Sequence, residues 1–129
     1  MKKAISIAVA IIRSDDKILI AKRPQNKAMQ GLWEVAGGKI NHQETAEDCL
    51  IRELQEEINI TPYNFELYKI INHDYDEFSL EMHVFNCKYW HGKPSPLEGQ
   101  QLKWVTAIQM QDYPMPSANY SLKVDLLKE

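Results

Sequence analysis

The sequence predicts an α+β fold, a mixed β-sheet covered by helices. Short β-branched and aliphatic runs recur along the chain, two or three helical pieces interrupt them, and one of those pieces carries both a start and a stop signal. At 129 residues, 44% of them hydrophobic and 26% charged, the chain is expected to form one domain over residues 1–129, with a core that needs neither disulfides nor a structural metal.

Ile5 to Ile12 and Lys17 to Lys22 read as strands separated by the turn-forming Ser14-Asp15-Asp16, as a hairpin or as neighbours. Pro24 to Gly31 reads as a loop, and Trp33 to Ala36 as a short strand running into Gly37-Gly38. Thr45 opens the clearest helix as N-cap, with Asp48 three residues on in a variant of the capping box. That helix is expected to reach Ile58, to stop on a left-handed Asn59, and to be barred from continuing by Pro62. Phe65 to Asn72, Phe78 to Trp90 and Leu102 to Val105 read as further strands, with turns at His91-Gly92-Lys93 and Pro94 to Pro96. After Pro114 and Pro116, Ser117 to Lys128 is expected to close the chain as a helix.

A net charge of -3 leaves no broad basic field, which argues against polymeric nucleic acid as a partner. A small polyanion stays compatible with that balance, because a carboxylate-held divalent cation reverses the local sign. Ile5 to Ile12 follows two lysines, as in a signal peptide, yet it is short and leads into Arg13-Ser14-Asp15-Asp16 without a small-residue cleavage site. No stretch approaches the roughly 18 apolar residues of a membrane span, so a cytoplasmic protein without a membrane partner is expected. Cys49 and Cys87 show no zinc or disulfide spacing and read as reduced core thiols. Small size and the lack of an exposed apolar repeat favour a monomer.

On the Thr45–Ile58 segment Leu50, Ile51, Leu54 and Ile58 share one stripe, while Glu53, Glu56 and Glu57 project from an adjoining face. Like charges at this spacing repel by about 0.2–0.5 kcal/mol per pair, and the helix dipole disfavours anions at its C-terminal end. Mg²⁺ or Mn²⁺ would remove both objections, since these hard cations take carboxylate oxygens and keep waters that bridge to phosphate. Taken alone, the triplet fits a solvated acidic face as well as a cation site. Gly37-Gly38 can bring bare backbone close to a ligand, with Lys39 beside it to meet a phosphate, although paired glycines also make ordinary turns.

Gly38, Glu44, Arg52, Glu53, Leu54, Glu56, Glu57 and Ile60 together reproduce the Nudix box: Gly, five residues, Glu, seven residues, then Arg-Glu-aliphatic-any-Glu-Glu-any-Gly-aliphatic. The one departure is Asn59 in place of the box's last Gly, and Asn is the next best occupant of a left-handed cap. The chain thus resembles the Nudix hydrolases, and beyond the box it is similar to the MutT-like branch. It shares the opening Met1-Lys2-Lys3, Arg23, Glu34 before Gly37-Gly38, Glu98-Gly99-Gln100 leading to Trp104, and Ala118-Asn119. Ala36 stands where MutT has Pro, and Gly31-Leu32-Trp33-Glu34 resembles the pyrimidine-nucleotide hydrolases of the same branch.

This resemblance implies an α/β/α sandwich with the mixed sheet between helices, and Mg²⁺-dependent attack of water on an internal phosphorus of a nucleoside triphosphate, releasing monophosphate and pyrophosphate. It implies 8-oxo-dGTP as substrate, in cleansing of the nucleotide pool, with CTP or a modified dCTP as the alternative and a non-catalytic nucleotide-binding module as the reading outside enzymes. The carried-over metal ligands are Glu53, Glu56, Glu57 and the Gly38 carbonyl, with Arg52 orienting Glu53 through a bidentate ion pair. Arg23 and Lys39 would bind phosphate. Glu53 is the first choice of general base. Glu98 is the second, from a mobile-looking loop, and as further alternatives it completes the metal shell or is a plain surface glutamate. Glu44 either ligates metal or fixes the loop at the helix start. Asn119 would read the base, with Ala118 and Glu34 beside it; for Phe78, core packing and ligand contact fit equally.

Overall fold

The computed structural model describes residues 2–24 and 31–129. All but the two end residues of the loop expected over Pro24 to Gly31 lies outside the described residues, as does Met1.

The elements follow in the order β1 (Lys3–Ser14), β2 (Lys17–Lys22), β3 (Trp33–Glu34), β4 (Ala36–Lys39), α1 (Ala46–Ile58), β5 (Thr61–Pro62), β6 (Glu66–Asp74), β7 (Phe78–Cys87), β8 (Trp90–His91), β9 (Gln101–Thr106), α2 (Ala107–Met110), a 3₁₀ turn at Ser117–Asn119, and α3 (Tyr120–Leu127). β1 organises the main sheet. It pairs in parallel with β7 from Lys3↔Phe78 to Ile12↔Cys87 and antiparallel with β4 from Ile7↔Lys39 to Ala10↔Ala36. β2 carries β3 and β9 antiparallel, and β6 closes the far edge against β7. The sheet is therefore mixed, as expected.

β1 is an almost unbroken apolar run because both of its faces are covered. Val9 and Ile11 enter a core with Met110, Leu122 and Leu126, beneath α2 and α3. Ala8, Ala10 and Ile12 enter a second core with Leu50, Leu54 and Ile58 of α1. The period-2 alternation of a strand thus divides one sequence run between two cores, and the result is the helix–sheet–helix sandwich. No helix among the described residues is long and apolar enough to cross a membrane.

Several sequence expectations need correction. The hairpin between the first two strands is only two pairs long, Arg13↔Ile18 and Ser14↔Lys17, because β1 turns to β4 and β7 for most of its length. The buried stripe of α1 is Cys49, Leu50, Leu54 and Ile58; Ile51 is only half-buried. Thr45 caps α1 by accepting from the Asp48 N–H at 3.0 Å, while the complete capping box sits at Thr106–Gln109, where the fourth residue is a Gln long enough to reach back. That box starts α2, which the sequence reading missed. The long strand from Phe78 ends at Cys87, with Trp90–His91 pairing separately onto β5, and the closing helix begins as a 3₁₀ turn before α3.

Asn59 adopts φ 65 and ψ 31, the left-handed stop, and its N–H donates to the Leu54 carbonyl. Asn59→Gly is accordingly expected to keep or raise stability in chemical denaturation. Asn59→Ala, with no amide to satisfy the turn, should lower it by about 1 kcal/mol.

Candidate functional site

The site begins where α1 crosses β4. A Cβ at Gly37 would run into the Ala8 carbonyl of β1, so bare backbone there is what lets β4 lie against β1, while one at Gly38 would overlap the Glu53 carboxylate of α1, so this glycine leaves the space that the carboxylate fills. The contact is also polar: the Gly37 N–H donates to Glu57 Oε2 at 3.1 Å.

Arg52 is the hub of the face. Its Nε and Nη2 donate to Glu44 Oε2 and Oε1 at 2.8 and 2.9 Å, Nη1 donates to Glu53 Oε1 at 3.0 Å, and Nη2 also reaches the Lys39 carbonyl at 3.1 Å. The bidentate pairing expected with Glu53 is therefore made with Glu44, and Glu53 receives a single N–H. The reason is geometric, since neighbours on a helix diverge by about 100° and Glu44, arriving from the loop, can meet the guanidinium fork edge-on. The Asn41 N–H also donates to Glu44, at 3.0 Å. Hydrogen bonds from Arg52 and then Asn41 draw the Glu44 carboxyl down to about 2. Of the two roles left open for Glu44, loop fixing is the one visible in these contacts.

The other carboxylates move the opposite way. Burial raises Glu53 despite Arg52, with Glu56 and Glu98 adding to the rise. Burial, followed by the charges of Glu53, Glu34 and Glu98, pushes Glu57 up to about 8, against the Gly37 N–H that favours its anion. Glu56 projects outward, 56% exposed, within 3.5 Å of Arg52 Nη1. No set of three ligating side chains among the described residues is already spaced around one point. What is preformed is an electrostatic demand, hard oxygen donors crowded in a place that resists their charge. That donor set fits a divalent cation.

Glu98 belongs to this cluster through a loop that hydrogen bonds tie to the end of α1. The N–H groups of Ser95 and Leu97 donate to the Ile58 and Glu57 carbonyls at 2.9 and 3.0 Å. Gln100, buried and missed by sequence reasoning, donates to the Glu57 carbonyl at 3.0 Å and accepts from the Glu98 N–H at 2.8 Å. The segment thereby caps a helix that has no basic residue in its last turn.

Two cavities flank the pair Arg23 and Glu34. One, of about 130 Å³, is lined by Glu57 and Glu98 together with that pair. The other, of about 260 Å³ and largely apolar, is lined by the same pair with Tyr75, Phe78, Ala118 and Asn119. Every residue assigned to base reading therefore lines one space, and a shared wall joins it to the acidic cluster. Arg23 Nε is buried without a hydrogen-bond partner among the described residues, and lies 3.6 Å from Glu34 Oε1. Burial raises Glu34, opposed by Arg23. Asn119 is 6% exposed, and among the described residues its amide makes only a long contact of 3.5 Å with the Pro116 carbonyl.

Lys39 is not brought to either cavity: it is exposed on β4, and α1 touches its carbonyl. Tyr75, Met82 and Pro116 also line the second cavity, with Ile5, Ile7 and Leu80, and were missed; Tyr75 sits in the polar Asp74–Glu77 turn, which gave no signal of its own. Cys49 and Cys87 are buried free thiols, and burial pushes Cys49 up to about 11.

Comparison with known proteins agrees with this geometry. The NUDIX domain model matches residues 7–123. The 8-oxo-dGTP diphosphatase of Escherichia coli is 34% identical over 118 residues, covering 91% of this chain and 92% of that protein. The CTP pyrophosphohydrolase of the same organism is 33% identical over 120 residues, covering 93% and 89%. A solved MutT structure, from work on the Aliivibrio salmonicida and Vibrio cholerae proteins, superposes with a TM-score of 0.83 at 32% identity, covering 98% of each chain. The box geometry, the family match over residues 7–123 and the shared fold together place the chain in the Nudix hydrolase family, in its MutT-like branch.

Proposed function

We propose that the protein hydrolyses 8-oxo-dGTP to 8-oxo-dGMP and pyrophosphate with Mg²⁺, Mn²⁺ being able to substitute, and acts on the free nucleotide as a monomer. The observation that carries this reading is the pairing of an acidic cluster with an apolar cavity holding a buried, nearly unengaged Asn119 amide.

Glu53, Glu56, Glu57 and the Gly38 carbonyl would hold the ion, and Glu98 is placed to join them. When bound, the ion neutralises the polyphosphate and the leaving pyrophosphate. Arg23, whose buried Nε has no partner among the described residues and which lines both cavities, would meet a phosphate where it bridges from base to cluster. Glu53 is proposed to take the proton of the attacking water. Its raised affinity for a proton and the single hydrogen bond from Arg52 suit a base better than Glu44, whose two oxygens Arg52 occupies. Glu98, held by Gln100, is the alternative base.

At the base, an amide presents a donor and acceptors in one plane. An 8-oxo group adds a carbonyl at C8 and turns N7 from acceptor to donor, so an amide set against that edge rejects dGTP by leaving polar groups unpaired. A second reading, CTP or a modified dCTP as substrate, is favoured by the similarity to the Escherichia coli CTP pyrophosphohydrolase and by Gly31-Leu32-Trp33-Glu34 with Ala36. There Trp33 is buried edge-on against Tyr113 at 5.1 Å, shaping the strand that carries Glu34.

Steady-state kinetics over a nucleotide panel separates these readings: kcat/KM for 8-oxo-dGTP is expected to exceed that for dGTP and CTP by about 100-fold or more, and equal values for dGTP and 8-oxo-dGTP sink the oxidised-guanine proposal. Glu53→Gln should lower kcat by about 100-fold or more with little change in KM. Turnover equal to wild type removes Glu53 as the base.

Metal dependence has a thermal signature. A carboxyl held up at about 8 costs the metal-free fold stability as pH rises from 4.5 through 8, so at pH 9 Glu57→Gln without metal should melt no lower than wild type. At a hundred times Kd, Mg²⁺ should stabilise wild type by about 2.7 kcal/mol. The Gln variant should lose most of that gain, and an equal gain in both proteins excludes Glu57 as a ligand.

A further inference from the structure

We propose that Tyr75 is a specificity-determining residue of the base cavity, whose phenolic hydroxyl donates a hydrogen bond to a carbonyl oxygen on the nucleobase. The inference rests on the reading that the base enters beside Asn119. It goes further by assigning a second polar reader and the chemical class of edge it selects.

Tyr75 leaves the end of β6 at the turn into β7, where its N–H donates to the Phe78 carbonyl at 2.9 Å. Its ring packs on Phe78 at 4.9 Å and on His73 at 4.7 Å between centroids, and it lines the cavity. A side chain with two torsions, held on both sides by rings, keeps its hydroxyl in one place.

That hydroxyl accepts the Ala118 N–H at 3.1 Å, across 43 positions of sequence. The bond has two consequences. The backbone donor of Ala118 is used up, so it is the phenol and not the backbone that faces a ligand from this wall. A phenol that accepts also keeps one O–H to give. Tyr75 donates that O–H in no hydrogen bond among the described residues, and an unspent donor in a largely apolar cavity wants an acceptor.

The turn is held at a second, adjacent point, where His73 Nε2 and Ser117 Oγ lie 2.9 Å apart. The two ties set Ala118 and Asn119 against the β6–β7 turn, with Asn119 and Tyr75 both lining the cavity. A base presenting a carbonyl there, such as guanine, 8-oxoguanine or uracil, satisfies the phenolic donor. One presenting an amino group, such as adenine or cytosine, sets donor against donor.

The test compares Tyr75→Phe with Ser117→Ala, reading kcat and KM separately on dGTP, 8-oxo-dGTP, dUTP, dATP and dCTP, together with calorimetric binding of dGMP and dAMP to the metal-free protein. Tyr75→Phe keeps the ring, and is expected to raise KM for the carbonyl-edge nucleotides about tenfold, leave kcat unchanged and spare dATP and dCTP. The dGMP-over-dAMP binding preference should fall by the same factor. Ser117→Ala loosens the turn while keeping the hydroxyl, and should leave that preference intact. A Tyr75→Phe loss equal on all nucleotides, a loss confined to kcat, or the same selective loss in Ser117→Ala overturns the proposal. If wild type fails to prefer 8-oxo-dGTP over dGTP, the oxidised-guanine reading falls, while the Tyr75 comparison is still decided between dGMP and dAMP.

Discussion

Everything in the site depends on how closely α1 lies on β4. Gly38 leaves room there for the Glu53 carboxylate, which a Cβ would overlap, and Gly37 lets β4 lie against β1, where a Cβ would strike the Ala8 carbonyl. The gap they leave is filled by charge: Glu57 is fixed by the Gly37 N–H, and Glu53 stands over Gly38. Two carboxylates are thus held against a backbone in partial burial, where isolated anions are costly. Arg52 offsets part of that cost, but its fork is committed to Glu44, and it spares one N–H for Glu53. The imbalance that remains is the physical basis for expecting a cation.

The same economy governs the C-terminal end of α1. No basic residue stands in its last turn and two glutamates do, which leaves the helix dipole unrelieved by side-chain charge. The segment from Ser95 to Gln100 supplies the missing donors, two backbone N–H groups and the Gln100 amide, to the Ile58 and Glu57 carbonyls. In doing so it delivers Glu98 to the acidic cluster, as the rise in Glu53 and Glu57 registers. Helix capping and site assembly are therefore one set of bonds.

Arg23 and Glu34 join the acidic cluster to the apolar cavity. They line both spaces, one as a half-buried guanidinium whose Nε has no hydrogen-bond partner among the described residues and the other as a carboxyl that burial drives toward its neutral form. A nucleotide has the same division, with an anionic chain at one end and a flat aromatic base at the other. Two cavities sharing a polar wall match that division better than one uniform pocket would.

The helix, its Thr45 cap, its Asn59 stop and the spacing of Gly38, Glu44, Arg52, Glu53, Glu56 and Glu57 were legible in the sequence, because each depends on neighbours within a few residues or on a fixed pattern along one helix face. The strand at Ile5 to Ile12 was legible too, as a β-branched, aliphatic run, whereas the burial of both its faces emerged only with the packing of the helices. Partner choice was not. That Arg52 grips Glu44 with both arms, that Gln100 pins Glu98, that Lys39 stays outside both cavities and that Tyr75 reaches Ala118 are facts about groups brought together by the packing of loops on the sheet. Local sequence carries the periodicity that makes a helix or a strand. Which of several equally charged or aromatic side chains meets which depends on distances across the fold, and only the tertiary structure sets those.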